Sequence, residues 1–136
     1  MPRFSSKSLA ILSTVDPRLQ ELFNAVVKRY DCAVVSGLRT TEMQQMLYAQ
    51  GRTMPGNIVT YLDGIEKKSR HQSGRAADVI PYPVDWNDTK RFNHFAGFVR
   101  GVAFQMGIDI VWGGDWDNDF DFKDQRFHDL GHFELR

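Results

Sequence analysis

The sequence predicts a single α+β domain, and three observations carry that expectation. Its 136 residues suit one domain, since two separate hydrophobic cores need a longer chain. Segments with helical spacing of apolar residues are interleaved with short apolar runs of strand character. No repeat, low-complexity tract or linker divides positions 1–136, which read as one domain.

Residues 16–30, DPRLQELFNAVVKRY, predict a helix: Asp16 is the N-cap, Pro17 suits the first helical position, and Leu19, Leu22, Phe23, Val26, Val27 and Tyr30 share one face. CAVVSGL reads as a short strand that Gly37 interrupts. TTEMQQMLYAQG predicts a capped helix ending at Gly51, and residues 52–68, with Pro55, Gly56 and Gly64, predict a surface loop. RAADVIPY is a strand ended by Pro81 and Pro83. Asn87 or Asp88 caps a long helix whose buried stripe is Phe92, Phe95, Val99, Val102 and Met106, with Phe98 beside it and Gly107 as its stop. IDIVW is a strand, GGDWDNDFDFKDQ a polar loop, and LGHFEL alternates as a strand does.

Composition removes several functions. Lysine plus arginine and aspartate plus glutamate each number 17, so net charge points to neither nucleic acid nor an anionic membrane. The acidic excess lies in residues 71–136, which carry eleven acidic and seven basic side chains. Cys32 is the only cysteine, which excludes an internal disulfide and a thiolate metal cluster, and its apolar neighbours predict an inert buried thiol. The N-terminal MPRFSSKSLAILSTVD lacks a secretory apolar core, and no segment reaches the ~18 apolar residues of a membrane span. The expectation is synthesis in the cytoplasm.

SRHQSGRAAD places His71 and Asp78 seven positions apart around Gly74, Ala76 and Ala77. Gly74 allows a sharp turn, and the two alanines occupy little space, so the imidazole and the carboxylate can converge on a metal. A histidine that caps a turn before a strand is the bland alternative. A catalytic zinc centre takes three protein ligands and keeps a position open. FHDLGHFELR supplies a third in His132, with Asp129 three positions earlier, where a general base for the attacking water belongs. Glu134 shares a strand face with His132 and is expected to accept a hydrogen bond from a ligand histidine. His94, inside the long helix, reads as a surface or boundary residue.

SRHQSGRAAD followed by DLGHFE resembles the paired motifs of the D-alanyl-D-alanine carboxypeptidase-like zinc peptidases, which share a structural group with the hedgehog signalling domain. VVSGLRT, AQGRTMPG and WGGDW make the chain most similar to the L-alanyl-D-glutamate peptidases that bacteriophages use as endolysins. The resemblance implies a small, mainly antiparallel sheet with helices packed on it. It also implies one zinc ion on His71, Asp78 and His132, and catalysis by Asp129 with Arg39 holding substrate or its oxyanion. Ser69 matches the family's serine two positions before the first ligand, as a substrate contact or a loop-orienting group, and His128 is a further candidate contact. One departure is Asp129 itself, where many relatives carry glutamate. The implied substrate is bacterial peptidoglycan, cut at the L-alanyl-D-glutamate bond by a monomer whose residues 1–136 are expected to be a single catalytic domain with no separate wall-binding domain. The enzyme would accumulate in the host cytoplasm and reach the periplasmic wall after a separate protein opens the membrane. Two alternatives stay open: a D,D-carboxypeptidase or dipeptidase with the same metal chemistry, and a non-catalytic zinc-bearing wall-binding module.

Two further features bear on ligands. Asp115, Asp117, Asp119 and Asp121 stand at alternate positions, and the first three match the opening of a calcium loop. Phe120 and Arg126 occupy the places of that loop's glycine and bidentate glutamate, so calcium here means a looser site than an EF-hand. Trp86, Trp112 and Trp116 are candidates for substrate capture, with core packing expected for at least one.

Overall fold

The computed structural model describes residues 2–121 and 123–136, so Phe122 of the acidic loop lies outside the described residues. α1, Ser6–Leu12, is capped by Ser5 and was not anticipated from the sequence. Only Ser8 and Leu12 are buried in it, too few for an apolar stripe to be read. Its role is tertiary: the Ser8 hydroxyl accepts the Val34 N–H at 3.1 Å, which satisfies an amide on an edge strand.

α2, Pro17–Val27, starts at its expected Asp16 cap and buries Leu19, Leu22, Phe23, Val26 and Val27. It ends three residues before the expected Tyr30, whose ring still packs against the core. β1 is Cys32–Ser36, and α3 is Thr41–Ala49, capped by Thr40. A 3-10 turn over Arg70–Ser73 leads into β2, Ala76–Pro81. α4, Thr89–Met106, runs from the Asp88 cap to Gly107. Its buried residues are Phe92, Phe95, Ala96, Val99 and Ala103, while Val102 and Met106 of the expected stripe are only partly buried. β3, Ile110–Trp112, and β4, His132–Leu135, begin two residues later than the sequence reading placed them.

The four strands form one antiparallel sheet in the order β1-β2-β4-β3. Strand alternation gives the sheet a core face and a site face. Phe133 is fully buried on the core face, with its ring edge-on to Phe23 of α2 at 5.5 Å and to Phe95 of α4 at 6.1 Å. Burial of such a ring contributes roughly 1.5–3 kcal/mol. Its neighbours His132 and Glu134 therefore point the other way. In β2, Ala77 and Val79 join the core, which leaves Asp78 on the site face with Ala76. Ala77 thus corrects an expectation: it packs under the sheet and not beside His71 and Asp78. The register sets Asp78 directly opposite His132.

Candidate active site

His71 enters the site from the 3-10 turn. Ser69 caps that turn: its hydroxyl accepts the His71 N–H at 3.2 Å, while the Gln72 side chain accepts the Ser69 N–H at 2.9 Å. Gly74 ends the turn with φ 72°, a left-handed conformation that suits glycine. Ser69 lines the cavity described below, and its hydroxyl accepts the bond that orients the His71 turn.

Each histidine is held by its outer ring nitrogen. His71 Nδ1 donates to the Gly37 carbonyl at 2.8 Å, and His132 Nε2 donates to Glu134 Oε1 at 2.8 Å. Glu134 is steadied in turn by Arg70 at 3.2 Å. In the neutral rings these bonds fix the tautomers, so the inward nitrogens, His71 Nε2 and His132 Nδ1, present lone pairs to one another at 3.2 Å. Asp78 Oδ1 stands 3.4 Å from the first and 3.3 Å from the second, and is a buried oxygen without a hydrogen-bond donor. Three converging acceptors repel unless a cation or proton sits among them. Donors about 2.0–2.2 Å from a tetrahedral cation stand roughly 3.3–3.6 Å apart, close to the spacing of this trio. His71, Asp78 and His132 are accordingly a set that could hold a metal ion.

The electrostatics agree with that fit. Burial would raise the Asp78 carboxyl, but the two imidazoles beside it hold it well below the usual carboxylate range. Burial would lower His132, yet Asp78 and Glu134 outweigh it and push the imidazole up to about 9. In the metal-free protein a proton on His132 therefore takes the cation's place. A raised folded pKa contributes stability below the unfolded value of 6.5, and that contribution is lost as pH climbs through about 9. We expect chelator-treated protein to melt at a lower temperature at pH 9 than at pH 6.5, measured by circular dichroism. An unchanged or higher melting temperature at pH 9 would contradict this assignment.

Asp129 lies beside the trio, with Oδ2 3.9 Å from His132 Nδ1. Its backbone is tied to Gly113, whose carbonyl accepts the Asp129 N–H at 2.8 Å, and to His132, which donates its N–H to the Asp129 carbonyl at 3.1 Å. A Cβ on Gly113 would collide with that carbonyl, so glycine is what permits this close approach. Gly113 was not singled out from the sequence, where only the WGG triplet marks it. Burial, then the charge on Asp78, raises the Asp129 carboxyl. Its side chain remains 42% exposed to the cavity.

Arg39 reaches the site from the loop after β1: Nη2 bonds Asp78 Oδ2 at 3.1 Å and Nη1 bonds Gln44 Oε1 at 3.2 Å. These groups line a cavity of about 650 Å³, walled by Tyr61, Trp86, Trp116 and Phe127 among others, a volume ordinary for ligand sites. Trp116 packs against the His132 ring at 5.2 Å and Trp86 is 61% exposed, whereas Trp112 is buried in the core. His128 is exposed and stands outside the cavity lining, so the fold does not bring it to the site. His94 is exposed on α4 with Nδ1 2.8 Å from the Tyr30 hydroxyl, as expected of a boundary residue. Burial, then Asp31, pushes the Cys32 thiol up to about 12, which leaves it inert.

The acidic loop only partly matches its expectation. The carboxylates of Asp115, Asp117 and Asp119 converge, whereas Asp121 is not part of that group. Asp115 is already neutralised by Arg100 at 2.9 Å and accepts the Phe120 N–H at 2.9 Å.

Comparison with known proteins identifies the group to which this architecture belongs. The family model described as phage L-alanyl-D-glutamate peptidase matches residues 1–136. The peptidoglycan L-alanyl-D-glutamate endopeptidase CwlK of Bacillus subtilis (strain 168) is 32% identical over 119 residues, covering 82% of this chain and 64% of the relative's length. The crystal structure of the Serratia marcescens L-Ala D-Glu endopeptidase ChiX shares the fold, with a TM-score of 0.70 at 24% identity over 99% of this chain and 91% of that one. The chain belongs to the phage L-alanyl-D-glutamate peptidase family.

Proposed function

We propose that this chain is a zinc peptidase that hydrolyses the L-alanyl-D-glutamate bond in peptidoglycan stem peptides, acting as a monomer. The observation that carries the reading is the trio of inward acceptors at 3.2–3.4 Å beside the cavity carboxylate of Asp129, in a chain of this family. His71, Asp78 and His132 would hold the ion. Bound zinc supplies Lewis-acid chemistry, polarising a carbonyl and lowering the pKa of water. Asp129 takes the proton from the attacking water and passes it to the leaving amine, a task favoured by a carboxyl raised above its ordinary range. Arg39 orients Asp78 and presents positive charge where the oxyanion grows.

The test is digestion of purified Gram-negative peptidoglycan with and without chelator, followed by zinc restoration and mass spectrometry of the fragments. New L-alanine carboxyl ends on the glycan, lost with chelator and regained with zinc, are the expected result. Release of D-alanine would assign the D,D-peptidase activity instead, and an intact wall with zinc bound would assign the binding module. Calcium on Asp115, Asp117 and Asp119 is a separate reading of the acidic loop, supported by their convergence. Calorimetric titration of zinc-loaded protein should then show heat, and none at millimolar calcium removes it.

A further inference from the structure

α3 is an unusual helix in what it buries. Met43 and Met46 are exposed, and the one buried residue is a glutamine, Gln44, at 0% exposure. Such a residue is held by its hydrogen bonds and not by apolar burial. Its Nε2 donates to the Leu62 carbonyl at 2.9 Å and to the Thr60 hydroxyl at 3.3 Å, and its Oε1 accepts from Arg39 Nη1. The orientation of the amide is dictated by chemistry, because a guanidinium only donates and a carbonyl only accepts. Thr60 and Leu62 line the cavity, and Arg39 continues to Asp78. Behind the amide, a Cβ on Gly64 would stand 3.0 Å from Gln44 Cγ, so the fit is close. The same loop is tied at Gly64 to Gln72 of the His71 turn by a 2.9 Å bond.

We propose that Gln44 is a positioning residue that joins the cavity wall at Thr60–Leu62 to Arg39 and so sets the guanidinium against Asp78. The inference rests on the peptidase reading, since it acts through Arg39. Both ends of the amide are required. Methionine offers neither, and glutamate keeps the acceptor for Arg39 while losing the donor to Leu62.

A double-mutant cycle tests it, with kcat and KM measured on soluble stem-peptide fragments of peptidoglycan. Gln44→Met should lower kcat about 10–100-fold in the wild-type background and less than about twofold in an Arg39→Ala background. Equal loss in both backgrounds would overturn the proposal. Gln44→Glu should recover most of kcat while its KM is raised above wild type through loss of the bond to Leu62, an outcome that a purely packing role would not produce for a buried charge. A glutamate variant no better than methionine would also overturn it, and this variant carries the test if Gln44→Met does not fold. Amide exchange over residues 60–64 should accelerate in either variant, and unchanged exchange rejects the clamp. If wild-type protein cleaves no stem peptide, the peptidase reading fails separately, and exchange alone decides whether Gln44 holds the wall.

Discussion

Asp129→Ala should fold, keep one zinc per chain and lose about 10²–10⁴-fold in kcat/KM, the range for removing a general base. At about 1.4 kcal/mol per decade, that is roughly 3–5 kcal/mol of transition-state stabilisation. The expectation follows from placement. Asp129 is 3.9 Å from the nearest inward histidine nitrogen, too far to complete the acceptor trio, and its carboxyl is open to the cavity. Its backbone hydrogen bonds to Gly113 and His132 do not depend on the side chain, so truncation leaves the loop anchored. Zinc content by mass spectrometry, thermal melting and turnover of muropeptides separate the three properties. A near-normal rate would remove Asp129 from the chemistry. Loss of zinc would instead move it into the ligand set. Asp129→Glu, one methylene longer, should retain more activity than alanine because it restores a carboxylate.

His71→Ala and His132→Ala should abolish both zinc binding and cleavage. Either change leaves two acceptors where a tetrahedral cation needs three protein donors and one open position. The two variants should differ once metal is removed. His132 carries the raised imidazole between Asp78 and Glu134, so His132→Ala should lose the fall in melting temperature between pH 6.5 and pH 9, while His71→Ala keeps it. Zinc stoichiometry after dialysis and melting curves at the two pH values read both effects. Stoichiometric zinc in His71→Ala would refute the ligand assignment.

Much of the candidate site is legible in the sequence because its signals are local. In the His71 turn, Gly74 was readable as the sharp turn and Ser69 as a loop-orienting group, whereas the capping bond from Gln72 emerges only in the structure. Glu134 follows from alternation alone, since positions two apart on a strand share a face, and its bond to His132 is present. Asp129 is legible for the same reason, three residues before His132 in a short connection. The helices at Asp16 and Asp88 announce themselves by cap and apolar stripe.

By itself, then, the sequence determined the element types and caps outside α1 and the 3-10 turn, and which side chains could serve as ligands and base. Tertiary structure alone decided that Asp78 faces His132 across the β2–β4 pair, that Ala77 turns to the core and that His128 stays outside the cavity. It alone brought Gln44 to Arg39 and the Leu62 carbonyl, and Ser8 to Val34. The physical reason is range. Caps and alternation are satisfied within one turn or a few strand residues, so composition at fixed spacing reveals them. Sheet register and buried polar partners are selected only when the whole apolar layer under Phe133 closes and enclosed polar groups such as Gln44 lose their access to water.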